Sequence, residues 1–89
     1  MKDRYLEVTF RKGQPLAAYL YLPREPGVKS VRTQKATPGI LVDFAASGVP
    51  IGLEITAPSI VTVQEINGVL ESLGQPHIEA TDLAPLHAA

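Results

Sequence analysis

The chain has 89 residues, the size of one small domain, and 45% of them are hydrophobic, which is enough for a modest core. It contains no cysteine, so the sequence excludes a disulfide framework, a thiolate metal site and a cysteine nucleophile. The net charge is −1, no apolar run reaches the length of about 18 residues that a membrane helix needs, and the start does not resemble a secretory signal peptide. We therefore expect a cytoplasmic protein without a membrane-spanning segment.

Two strands are predicted near the start of the chain. Residues 5–10 alternate apolar and polar side chains, and residues 16–22 do the same, with Tyr19 and Tyr21 facing away from the alternating leucines. The glycine and proline between the two segments are typical of a turn. We expect one face of both strands to be buried.

The next segment, residues 28–37, has only weak strand character. It carries Lys29, Arg32 and Lys35, and spaced positive charges discourage pairing between exposed strand edges. The segment is therefore predicted to be an edge strand that ends at the following Pro-Gly pair.

The middle of the chain predicts a β-hairpin, because residues 40–44 and 49–56 both alternate and a glycine lies between them. A two-residue loop at positions 47–48 would place Phe44 opposite Ile51. This register keeps the apolar side chains of both strands on the same face of the sheet.

One helix is predicted after the strands. Thr62 and Glu65 have the spacing of a capping box, an apolar stripe follows at helical intervals, and Gly74 marks the end. Residues 75–89 show no convincing periodicity, so we expect a single domain over residues 1–74 and a flexible or partner-dependent tail. The fold class is α+β: an antiparallel β-meander of four or five strands with one C-terminal helix packed on the sheet.

Charge is divided unevenly along the chain. All eight Lys and Arg residues fall within residues 1–35, which carry +5, whereas residues 36–89 carry six acids and no Lys or Arg. Such asymmetry is one sign of a charged partner. It is also expected when both halves fold into one sheet and their fields partly cancel. The basic residues are spaced out rather than clustered, so a nucleic-acid partner is unlikely.

Two carboxylates are the best candidates for chemistry. In the hairpin register above, Asp43 and Glu54 are diagonal neighbours on one face of the sheet. Such a pair can share a proton or hold a hard cation, which makes the two residues weak candidates for a metal site. The alternative is a polar sheet face on which the carboxylates meet Arg or Lys from the basic strands.

No other set of residues predicts catalysis or a cofactor. The serines lack a convincing histidine partner, and no glycine-rich loop has the pattern of a phosphate site. The metal-ligand types near the C-terminus have spacings that match no known compact site; they are His77, Glu79, Asp82 and His87. We therefore predict neither catalytic nor cofactor-binding residues.

An interface is predicted on the face opposite the core. Tyr5, Tyr19 and Tyr21 would line it, joined by Leu41, and exposed tyrosine-rich sheet faces often mark interfaces. One short helix cannot cover apolar residues on both sides of a sheet. We therefore expect a homodimer.

Two blocks of the sequence resemble a known family. They are the strand Tyr19-Leu20-Tyr21-Leu22 and the run Gly39-Ile40-Leu41-Val42-Asp43-Phe44, followed by Gly48 and by Ile51-Gly52-Leu53-Glu54-Ile55. Together they resemble the small prokaryotic family called domain of unknown function 2283. That family has no established activity, but its members are often encoded beside small toxin-like proteins. The resemblance therefore implies an antitoxin-like binding role with a small toxin-like protein as a partner.

The sequence leaves two classes of function open. The first is a non-enzymatic protein-binding module, in an antitoxin-like or regulatory setting. The alternative is a small metal-binding domain, or a carboxylate-dependent enzyme domain, that uses Asp43 and Glu54.

Overall fold

Five antiparallel strands form a single sheet in the computed structural model, which describes residues 4–87. Two helices follow the strands, so the predicted α+β class is confirmed. In chain order the elements are β1 (Tyr5–Arg11), β2 (Gln14–Tyr21), β3 (Arg32–Thr37), β4 (Ile40–Phe44), β5 (Pro50–Ile55), the α-helix α1 (Val63–Ser72) and a C-terminal 3₁₀-helix (Ala80–His87).

The order of the strands across the sheet is β1-β2-β5-β4-β3. Consecutive strands form a β1–β2 hairpin and a β3–β4–β5 meander, and the two units join where β2 pairs with β5. Strand β3 lies at an edge, as the spaced charges of residues 28–37 predicted. The β4–β5 hairpin of the acidic half of the chain is thus flanked by strands from the basic half, and both halves share one sheet.

The β4–β5 hairpin has the predicted faces but not the predicted loop. Asp43 pairs with Gly52 as expected, whereas a bulge after Asp43 places Phe44 opposite Pro50. The predicted pairing of Phe44 with Ile51 is therefore wrong. The loop has three residues, because the Ala45 N–H donates to the Val49 carbonyl at 2.9 Å, and Gly48 closes it with a φ of 90°. The bulge accommodates the extra residue without turning the apolar face outward.

The hydrophobic core lies on one face of the sheet, under the two helices. Leu20 of β2 is fully buried there, as are Leu53 and Ile55 of the central strand β5. Helix α1 adds Ile66 and Leu70. Neither helix within residues 4–87 is long and apolar enough to cross a membrane.

The segment after α1 also packs on this core. Leu83 and Leu86 of the 3₁₀-helix are buried in the same cluster, and the Asn67 side chain accepts from the Ile78 N–H at 2.7 Å and donates to the Ile78 carbonyl at 3.1 Å. The sequence analysis assigned residues 75–89 to a tail because this segment is too short to show periodicity. Leu83 and Leu86 thus pack on the core although they follow the predicted boundary at residue 74, and residues 88–89 of the predicted tail lie outside the described residues.

Helix α1 begins and ends with complete capping motifs. The Glu65 N–H donates to the Thr62 hydroxyl at 3.1 Å, and the Thr62 N–H donates to the Glu65 carboxylate at 3.0 Å, so the predicted capping box is confirmed. At the other end Gly74 has a φ of 72°, and the Gln75 N–H donates to the Leu70 carbonyl at 2.9 Å. This is a Schellman motif, which satisfies carbonyls that the helix leaves free.

We expect Thr62→Ala to lower the free energy of unfolding by about 0.5–2 kcal/mol, because the first turn of α1 loses a hydrogen-bond acceptor. Urea denaturation followed by circular dichroism measures the change. Thr62→Ser keeps the hydroxyl and should stay close to the wild type. Equal losses for both variants would contradict the capping role.

Candidate functional site

The face of the sheet opposite the helices, called here the open face, presents two rows of side chains that cross all five strands. The row that contains Asp43 has aromatic rings at the β1 side, and the row that contains Glu54 ends in opposite charges. The first row is Tyr5, Tyr21, Gly52, Asp43 and Thr33, and the second is Glu7, Tyr19, Glu54, Leu41 and Lys35. The four predicted interface residues therefore lie on one face, and their role at an interface stays a prediction.

The three tyrosines of the open face form one cluster. The rings of Tyr5 and Tyr21 stack with centroids 4.5 Å apart and planes at 14°, and the Tyr19 ring lies 4.6 Å from that of Tyr21 at 54°. Arg24 places its guanidinium carbon 5.4 Å from the centroid of the Tyr21 ring. Tyr5 keeps 47% of its surface exposed, so the cluster is ordered and yet accessible.

Asp43 is a buried carboxylate at the middle of this face, with only 7% of its surface exposed. Its Oδ2 accepts a hydrogen bond from the Tyr19 hydroxyl at 2.7 Å, and its Oδ1 accepts one from the Thr33 hydroxyl at 2.6 Å. Hydrogen bonds to a charged acceptor offset the cost of burying it. Both oxygens of Asp43 thus accept from hydroxyl groups, one on the adjacent strand β3 and one on β2, two strands away.

Gly52 makes the bond between Tyr19 and Asp43 possible. Tyr19 lies on β2 and Asp43 on β4, so the tyrosine ring must cross the intervening strand β5. A Cβ atom on Gly52 would collide with the hydroxyl end of that ring. The sequence analysis did not assign Gly52 a role. A glycine inside a strand is nevertheless a sign of close approach by another group.

Glu54 lies diagonally from Asp43, as the hairpin register predicted. Burial raises the pKa of Glu54 above its usual value, and the negative charge of Asp43 and a hydrogen bond with that carboxyl raise the pKa further. Burial and the hydrogen bond to Asp43 also raise the pKa of the Tyr19 hydroxyl, which therefore stays a donor. The raised pKa favours the neutral form of Glu54, which can donate its proton in the hydrogen bond to Asp43.

Within residues 4–87, Asp43 and Glu54 have no third carboxylate or histidine beside them that would complete a metal site. No group of three or more His, Asp or Glu side chains suited to a metal ion occurs in the part of the chain that the structure describes. His77 lies elsewhere, with its Nε2 3.3 Å from Glu71, and the side chain of His87 lies outside the described side chains. A hydrogen bond joins Asp43 and Glu54, and their role as metal ligands stays a prediction.

Comparisons with known proteins add no relative. No protein-family model matches this chain, no curated protein matches it, and no solved structure matches it either. The resemblance to domain of unknown function 2283 stays a prediction, and so does the antitoxin-like role that it implies.

We expect Gly52→Ala to lower the free energy of unfolding by about 1–3 kcal/mol, because the new methyl group displaces Tyr19 and leaves buried Asp43 with one donor fewer. Urea denaturation of the wild type and the variant measures this loss. In a Tyr19→Ala background the same substitution meets no ring, so it should be neutral or stabilising. An equal cost in both backgrounds would show that the ring is not the cause.

Glu54→Gln should stabilise the protein at pH 7, because the glutamine resembles the neutral carboxyl that burial beside Asp43 favours. A carboxyl whose pKa is raised on folding gives stability below its ordinary value of 4.5, and this stability is lost as the pH rises through the folded pKa. The advantage of Glu54→Gln over the wild type should therefore grow as the pH rises above 4.5. Denaturation midpoints of both proteins over a series of pH values test this. An advantage that does not change with pH would contradict the raised pKa.

Proposed function

We propose that this protein is a non-enzymatic protein-binding module whose open face binds a second copy of the same chain. The observation that carries the proposal is the accessible cluster of Tyr5, Tyr19 and Tyr21 beside Leu41, on a face that neither described helix covers. Tyrosine suits an interface because its ring packs against apolar surface while its hydroxyl keeps a polar partner.

The order of the cluster favours binding. Stacking holds Tyr5 against Tyr21, and a hydrogen bond to Asp43 holds Tyr19, so little side-chain freedom is left to lose when a partner packs against the rings. Groups that are already ordered before binding lower its entropic cost. The same bonds explain why a buried carboxylate lies in an otherwise accessible face.

The charges of the open face are complementary to those of a second copy. The row that contains Tyr19 has Glu7 on the edge strand β1 and Lys35 on the other edge strand, β3. A two-fold axis parallel to the strands, between two stacked sheets, would bring Glu7 of each copy opposite Lys35 of the other. Two such pairs would set the orientation of the dimer more than its affinity.

A metal-binding or carboxylate-dependent enzyme has less support. Asp43 already accepts hydrogen bonds at both of its oxygens, and among residues 4–87 its close acidic neighbour on the open face is Glu54. Hard cations usually need more oxygen ligands than two carboxylates supply. An antitoxin-like or regulatory setting for the module depends on the family resemblance alone.

Sedimentation equilibrium at tens of micromolar protein should report about twice the chain mass of 9.5 kDa. Tyr5→Lys combined with Leu41→Lys should shift the protein towards the monomer, because two charges then enter the apolar centre of the interface. Phe10→Lys is the matched control, because Phe10 is a comparably exposed aromatic residue outside the open-face rows. A wild type that stays monomeric would overturn the proposal.

The charge pattern has its own test in the same experiment. Glu7→Lys and Lys35→Glu should each weaken the dimer, because each sets like charges opposite one another. The double variant restores opposite charges and should recover the dimer. A double variant weaker than either single one would exclude the two-fold arrangement while leaving open-face binding in place.

A further inference from the structure

A groove of about 520 Å³ runs between β3 and α1, on the face of the sheet that carries the core. Val42 and Phe44 of β4 line it from the sheet, and Val69 and Leu73 line it from the helix. The residues around the groove are a mixture of apolar ones and polar ones such as Gln34 and Glu65. This composition is typical of a site that takes an apolar group attached to a polar chain.

Gly68 opens this groove at the helix. It lies in the interior of α1, where glycine costs about 1 kcal/mol relative to alanine. A Cβ at this position would meet no atom within 4 Å, and Gly68 does not have a positive φ. Packing among the described residues therefore gives no reason for a glycine. Close approach by another molecule is a reason, because a side chain here would project into the groove.

The strand beside the groove has an unpaired edge. Strand β3 pairs with β4 on one side, and no strand within residues 4–87 pairs with its other side. Its register is regular from Arg32 to Lys35, and a bulge follows. An edge strand next to an apolar groove is the arrangement in which an extended peptide adds to a sheet and places alternate side chains in pockets.

The charge of this edge selects the kind of peptide. Arg32 and Lys35 are both exposed, and the Arg32 guanidinium carbon lies 4.2 Å from the centroid of the Phe44 ring at the groove. Like charges on neighbouring strands are destabilising, so the same residues oppose pairing of β3 with β3 of a second copy. Opposite charges favour an acidic strand.

We propose that an extended acidic segment of a partner protein binds as a sixth strand beside β3 and places an apolar side chain in the groove over Gly68. The regular register limits the paired stretch to Arg32–Lys35, so the segment is short. The groove lies on the other side of the sheet from the tyrosine cluster. The apolar contact of this strand is therefore on the opposite side of the sheet from the tyrosine contact of the dimer, and Lys35 is the one residue that both proposals use.

The probe is an acetylated and amidated hexapeptide of alternating valine and glutamate, titrated into the full chain labelled with ¹⁵N. Its valines share one face and match the groove, and its glutamates share the other. We expect saturable shifts of amide signals confined to β3 and α1 at up to about 1 mM peptide. The same peptide with lysine in place of glutamate should bind at least about tenfold more weakly.

Gly68→Leu should weaken binding of the acidic hexapeptide at least about tenfold, because leucine fills the groove. This variant should not unfold the protein, because leucine is the better helix former, and a thermal melt verifies that. Gln64→Leu is the matched control, since it adds the same side chain to an exposed position of α1 that does not line the groove. Its affinity should stay within about twofold of the wild type.

Four outcomes would overturn the proposal: no saturable binding, equal binding of the lysine peptide, shifts on the open face instead of at β3, or an unchanged affinity of Gly68→Leu. Displacement of the acidic peptide by a single-stranded oligonucleotide at lower concentration would also overturn it, and would assign this edge to nucleic acid. Loss of the dimer in the variant that combines Tyr5→Lys with Leu41→Lys would leave this proposal untouched.

Discussion

The hydrogen bond from Tyr19 to Asp43 is the contact on which the open face depends. It spans three strands, because its donor is on β2 and its acceptor on β4, and the ring between them lies over Gly52 of β5. The bond satisfies a buried carboxylate and also holds Tyr19 against Tyr21. Loss of this one hydrogen bond would therefore leave a buried carboxylate short of a donor and would also release a ring of the exposed aromatic cluster.

The same sheet is built differently on its two sides. The core side is apolar and is covered by two helices, whereas the open face combines rings, carboxylates and the cation Lys35 in rows that follow the pairing of the strands. Alternation along each strand makes this division possible, because successive side chains point to opposite faces. Each face can therefore serve a separate partner, one through its rings and the other through the groove at β3.

Local patterns in the sequence predicted the local structure well. Alternating side chains predicted the strands, because burial on one face imposes a period of two. Thr62 and Glu65 predicted the start of the helix, because the capping contacts join residues only three positions apart. The β2–β5 pairing has no such local signal, and the contact of Tyr19 with Asp43 follows only from that pairing. The role of Leu83 and Leu86 was missed because two leucines beside a proline are too few to show a period.

The buried position of Leu83 and Leu86 also has a consequence for synthesis of the chain. The apolar face formed by Leu20 and Leu53 is complete as a sheet once β5 has emerged from the ribosome, but these later leucines cover part of it only after the 3₁₀-helix has also emerged. A nascent chain that stops between β5 and the 3₁₀-helix carries uncovered hydrophobic surface. Such intermediates are prone to aggregate and are typical clients of chaperones.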